Sequence, residues 1–99
     1  IAHAAPARGE VIVDEGASRA ITRGKKSLLA AGVTCVIGHF DSGEVVDIAG
    51  PTGLLGRGIV SYDSDTIAQM AGQSAADLRL AGWAHPKPVV HRDDLAPLL

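Results

Sequence analysis

Hydrophobic residues along this chain come in short β-branched bursts set between glycines. Residues 10–14 (EVIVD), between Gly9 and Gly16, read as a strand. Residues 33–37 (VTCVI), between Gly32 and Gly38, read as a second. Residues 44–48 (EVVDI) follow the turn sequence Asp41-Ser42-Gly43, and this spacing predicts a hairpin-like connection between the two runs. Gly50-Pro51-Thr52-Gly53 is another turn, leading into a strand region over 54–61. Gly56 and Gly58 inside that region mark a bulge or a close backbone approach. Residues 89–91 (VVH) read as a last short strand, with 92–95 as a tail.

Helical patterns are short. Residues 17–23 form one, and Gly24 stands where a left-handed stop is expected. Residues 65–71 form a second, ended by Gly72. Ser74-Ala75-Ala76-Asp77 has the form of a capping box with Asp in place of Glu or Gln, opening a helix that stops at Gly82. Leu28 and Leu29 are expected to dock together on the core. Many short strands with a few short helices predict a mainly β chain with short helices (α+β), a small barrel or half-barrel.

Composition narrows the picture. Ninety-nine residues suffice for one domain with a modest core, and 46% hydrophobic residues argue against disorder. One Trp, one Tyr and one Phe leave that core aliphatic. A formal net charge of -2 argues against general nucleic-acid or membrane binding. No apolar run approaches the ~18 residues of a membrane span, and no signal-peptide pattern appears. Cys35 is the single cysteine, so no intrachain disulfide forms, which fits a reducing cytoplasm. Its run is apolar on both sides, which predicts a buried thiol on a central strand. The chain opens on Ile1 rather than Met and reads as a piece of something longer, with the Ala-rich residues 1–8 as a linker.

Motifs for catalysis are poor. Gly24-Lys25-Lys26-Ser27 resembles the end of a phosphate-binding loop, but Arg19 stands where the first glycine belongs and Lys26 where Ser or Thr belongs. The predicted helix also precedes the glycine instead of following it. Gly53-x-x-Gly56-x-Gly58 has the wrong spacing for a dinucleotide fingerprint. His3, His39, His85 and His91 do not pair with one another or with Cys35 at metal-ligand spacing, so no metal or catalytic residue is assigned. The basic residues carry more. Arg19 and Arg23 are four apart and share a helix face, and Lys25 and Lys26 extend it. That surface is either a solvated helix face or a contact for an anion or RNA.

Taken in order, VIVDEGASRAI (11–21), GKKSLLAAGVTCVIGHFDSGEVVDI (24–48), GRGIVSYDSDTIAQMAG (56–72) and PVVHRDDL (88–95) resemble the C-terminal domain of the bacterial glutamate 5-kinase family. That domain is of the PUA type, named for pseudouridine synthases and archaeosine transglycosylases. The resemblance covers about Gly9 to Leu95; the ordered series is specific, and the ending HRDDL is characteristic of the kinase rather than of PUA domains at large. Ala30 stands where the family usually has proline. The resemblance implies a PUA-type pseudobarrel over 9–99. Residues 1–8 would then be a linker from an absent N-terminal amino-acid-kinase domain. ATP and Mg²⁺ would belong to that domain, and none of its catalytic residues maps here. The implied partners are the catalytic domain of the same chain and a homo-oligomer of the parent, in the cytoplasm, with no membrane. RNA is the alternative partner, at the positions matching the surface that RNA-binding PUA domains use: Arg19, Arg23, Lys25, Lys26 and Gly32. The near-neutral charge favours the accessory role.

Overall fold

The computed structural model describes residues 9–97; the expected linker, residues 1–8, lies outside them. Five strands form one mixed sheet in the order β2-β1-β3-β4-β5. They are β1 (Gly9–Val13), β2 (Val33–Gly38), β3 (Val45–Gly50), β4 (Gly53–Ile59) and β5 (Leu95–Pro97). β1 pairs antiparallel with β2 and parallel with β3, and the remaining pairs are antiparallel. Three short helices accompany the sheet: α1 (Glu15–Thr22), α2 (Ser64–Met70) and α3 (Ala75–Leu80). The mainly β, helix-decorated architecture matches the expectation.

Alternation on the strands makes the core. Val11, Val13, Val46 and Ile48 point inward and are buried. Ile21 of α1, Ile67 and Met70 of α2, and Leu28, Val89 and Val90 from the connecting segments close over them. Full burial of each such aliphatic side chain is worth about 1.5–3 kcal/mol.

Caps fix the helix starts. Asp14 accepts from the Ala17 N–H at 2.8 Å, so α1 begins at Glu15, two residues before the apolar pattern begins, and takes Gly16 into its first turn. Asp63, rather than Ser64, caps α2 through the Thr66 N–H at 2.7 Å. Those hydrogen bonds to Thr66 hold the Asp63 carboxyl below its ordinary pKa. Ser64 is buried and accepts instead from the Phe40 N–H at 3.2 Å. The capping box of α3 forms as expected: Asp77 N–H donates to Ser74 Oγ, and Ser74 N–H donates to Asp77 Oδ2. Gly72 and Gly82 take positive φ after α2 and α3.

The β4 glycines are close-approach sites. A Cβ on Gly56 would lie 2.4 Å from the Ala96 carbonyl oxygen, and one on Gly58 would lie 2.6 Å from Val90 Cγ1. The first lets β5 lie against β4, and the second leaves room for the Val90 side chain. Leu55 is the extra residue of a bulge, since Ile48 pairs with Gly56 while Ala49 pairs with Leu54.

Several expectations are corrected. β2 and β3 do not form a hairpin, because β1 lies between them. The turn after β2 bonds to the end of β4 instead, through Gly43 N–H to Val60 O at 2.8 Å and Val60 N–H to Glu44 O at 3.1 Å. Cys35 is exposed, because β2 is an edge strand and the residue faces away from the core. The last ladder strand is 95–97, read as tail and terminus. Residues 89 and 90 instead clasp Leu28, with Leu28 N–H donating to Val90 O and Val89 N–H to Leu28 O. Gly24 does not take a positive φ; Lys25 does, at 50°.

Leu28 and Leu29 part company. Leu28 is buried, while Leu29 is 57% exposed. Leu28→Ala is therefore expected to cost about 2–5 kcal/mol, and Leu29→Ala to stay within about 0.5 kcal/mol. Urea unfolding midpoints check this, and equal losses in the two variants would contradict the packing described.

Candidate functional site

The basic surface is built around the exit of α1. The helix ends at Thr22 with Arg23 as C-cap, and the Ala20 carbonyl accepts from both Gly24 and Lys26 N–H at 3.1 Å. This wrap turns the chain sharply at Lys25 and sends it back along the helix. Backbone bonds from Leu28 to Val89 and Val90 then anchor it to the core. A 3-10 turn, Ala30–Gly32, follows and lies against the helix. Gly32 has no room for a side chain, since a Cβ would sit 2.5 Å from Ala17 Cβ. Its carbonyl also accepts from the Asp14 N–H at 2.9 Å.

Between helix and returning chain runs a groove of about 400 Å³. Gly16, Ala17 and Ala20 form one wall, and Ser27, Leu29 and Gly32 lie along the other. Small residues on the helix side leave it open. Lys26 contributes the cation and Asp14 the nearby carboxylate. A second hollow of about 280 Å³ lies beside it, with Lys25, Lys26 and Arg92 around Ile21, Leu95 and Pro97. The arrangement suits an anion carried on an apolar body. Lys26 borders both hollows.

Lys26 and Gly32 thus line the groove, and Lys25 and Lys26 line the second hollow. Arg19 and Arg23 line neither hollow. Arg19 is instead tied to Glu15, Nη2 to Oε1 at 3.0 Å, with both side chains largely in solvent. Arg92 joins the surface without having been singled out by the sequence. Its backbone N–H donates to Ser27 Oγ at 2.8 Å, a contact 65 positions apart that places it beside the lysines. No spacing rule announces such a pair.

A third hollow, of about 390 Å³, is acidic and is lined by His39, Asp41, Glu44, Asp63 and Asp65 among others. Two of these carboxylates already have backbone partners: Asp63 caps α2, and Glu44 accepts from the Asp41 N–H at 2.7 Å. No cluster of His, Cys, Asp and Glu able to hold a metal ion occurs among the described residues. None of their helices is long and apolar enough to cross a membrane.

A mixed five-stranded sheet, a short helix after the first strand, and a groove between that helix and the returning chain define a small, mainly β domain. The model of the PUA domain family matches residues 9–80, and the chain belongs to that family. It is 48% identical over 95 residues to a glutamate 5-kinase of Corynebacterium glutamicum, covering 95% of this chain and 25% of that enzyme. It is 45% identical over 101 residues to the glutamate 5-kinase of Thermosynechococcus vestitus, covering 100% of this chain and 27% of that one. The chain therefore spans about a quarter of the length of the curated relatives it matches. Among solved structures it resembles a PUA domain of Aeropyrum pernix K1, in a tartrate complex, with TM-score 0.62 and 29% identity over 86% of this chain and 43% of that one.

Lys25 gives a local test of the turn. A left-handed non-glycine residue costs roughly 1–2 kcal/mol, against roughly 0.5–1 kcal/mol of extra chain entropy for glycine. Lys25→Gly is expected to stabilise the domain by about 0.5–1 kcal/mol in chemical unfolding, although it removes a cation. A loss of stability would show that the lysine side chain holds the turn.

Proposed function

We propose that the chain is the C-terminal accessory domain of a glutamate 5-kinase, acting through its catalytic domain or through oligomer contacts. Identity of 43–48% to glutamate 5-kinases, running through almost the whole chain, carries this reading. The upstream catalytic domain, reached through residues 1–8, would transfer the γ-phosphate of ATP to the side-chain carboxylate of glutamate with Mg²⁺. That is the opening step of proline biosynthesis, a cytoplasmic reaction. Phosphoryl transfer depends on positioned charge around the phosphates, usually with a bound metal. The hollows around α1 offer lysines and an arginine but no carboxylate set for a metal.

RNA binding is the second reading, favoured by the gathering of Lys25, Lys26 and Arg92 around one hollow. Arg19, Arg23 and Gly32 would join it as the remaining contact candidates. Against it stand the net charge of -2 and the absence of an aromatic side chain for base stacking in either hollow.

Coupled ADP-release assays with glutamate, ATP and Mg²⁺ test the first reading. The full-length polypeptide is expected to turn over, and the 99-residue chain alone to match the no-enzyme control. A full-length polypeptide without glutamate-dependent ADP release overturns it. Filter binding at low salt tests the second: RNA retention that falls in a Lys25→Ala/Lys26→Ala variant of unchanged stability would establish RNA as a ligand.

A further inference from the structure

The outer face of the sheet carries a further signal. In-register partners share a face, so the pairing defines rows across the strands. Ile37, Glu10, Asp47 and Arg57 form one outward row. Cys35, Ile12, Ala49 and Leu54 form the next, in which Cys35 and Leu54 are exposed, Ile12 is half-buried and Ala49 is buried. Val45 and Ile59 pair beyond the first row. Only Glu10, Asp47 and Arg57 among these are charged. Ile37, Val45, Leu54 and Ile59 are each at least 40% exposed. A sheet with one solvated face ordinarily places polar residues outward. Single exposed aliphatics are normal, but Val45 and Ile59 form an adjacent exposed pair, separated from Leu54 by the charged row Glu10, Asp47 and Arg57.

Two of the three charges on this face are paired with each other. Arg57 Nε donates to Asp47 Oδ1 at 2.9 Å, so the two offset each other at the centre of the patch. Placing a partner over a neutralised pair costs less than over a lone charge.

We propose that this sheet face docks against the catalytic part of the same polypeptide. The inference rests on the reading that the chain is the C-terminal domain of a glutamate 5-kinase. The relatives are about four times as long as the stretch matched here, so such a polypeptide has ample surface outside this domain. β1 starts at Gly9, at the end of the sheet that carries the exposed pair Val45 and Ile59. Polypeptide preceding Gly9 is therefore delivered covalently to the apolar end of the face. A short tether gives an effective concentration in the millimolar range, which a free second copy does not reach.

The test uses the full-length polypeptide. A photo-cross-linking p-benzoylphenylalanine replaces Ile37 or, separately, Ile59, and adducts are mapped by mass spectrometry. Maleimide labelling of Cys35 is followed in unsubstituted protein, native and denatured. Expected are adducts to residues upstream of this domain from both positions, and Cys35 labelling at least tenfold slower in the native protein. The same cross-linker at Leu80, 89% exposed on α3, is expected to give none of those adducts. Adducts joining this face to a second copy of itself overturn the proposal. So does the absence of upstream adducts with Cys35 labelled as fast as in the denatured protein. Glutamate-dependent ADP release, measured on the same preparation, separates the two claims: upstream adducts without kinase activity sink the enzyme reading and leave the docking face standing.

Discussion

β1 is hydrogen-bonded along both edges, antiparallel to β2 and parallel to β3. The parallel pair dictates the path of the chain between them. Parallel neighbours cannot be joined by a tight turn, because the chain must return to the starting end before the next strand begins. Residues 14–44 make that return, and they contain α1, the wrap at Lys25, the 3-10 turn, β2 and the loop that caps β4. β2 itself runs the chain back to that end, and α1, the wrap and the 3-10 turn form the long connection from β1 to β2 that holds the groove. The same pairing sets Glu10 beside Asp47 and Ile12 beside Ala49, and so fixes which residues share the outer face.

Features governed by neighbours in sequence are legible in it. The Ser74–Asp77 box, the glycine stops at 72 and 82, the 50–53 turn and the packing demand of Gly56 and Gly58 all depend on residues within a few positions or on a missing side chain. Helix starts are less legible, because Asp14 and Asp63 read as a strand end and a loop residue, and each is a cap. The displacement of the left-handed residue from Gly24 to Lys25 has a different origin. The returning chain is fixed at Leu28 by Val89 and Val90, and this long-range anchor sets where the turn must fall. Local preference for glycine yields to it.

The candidate surface is legible only in part, for the same reason. Lys25 and Lys26 belong to it by local order. Arg92 joins through a bond between its backbone and Ser27, 65 positions away. Arg19 lines neither hollow and pairs in solvent with Glu15, one helical turn earlier. Helical spacing shows that Arg19 and Arg23 share a face, and it cannot show that the face turns away from the groove.

Cys35 shows how a pattern can misplace a residue and still report something physical. Its run is apolar on both sides, and such runs occur where a strand is covered on both faces. β2 is an edge strand, and its outward residues meet no second layer among the described residues. The same two-sided character runs through VIV in β1, VVDIA in β3 and LL in β4. Aliphatic residues on so many outward positions make little contribution to the stability of an isolated sheet and raise its tendency to associate. Their presence is intelligible when the outer face is an interior of a larger assembly. On the docking proposed above, the hydrophobic pattern describes that assembly, with this sheet as one of its layers.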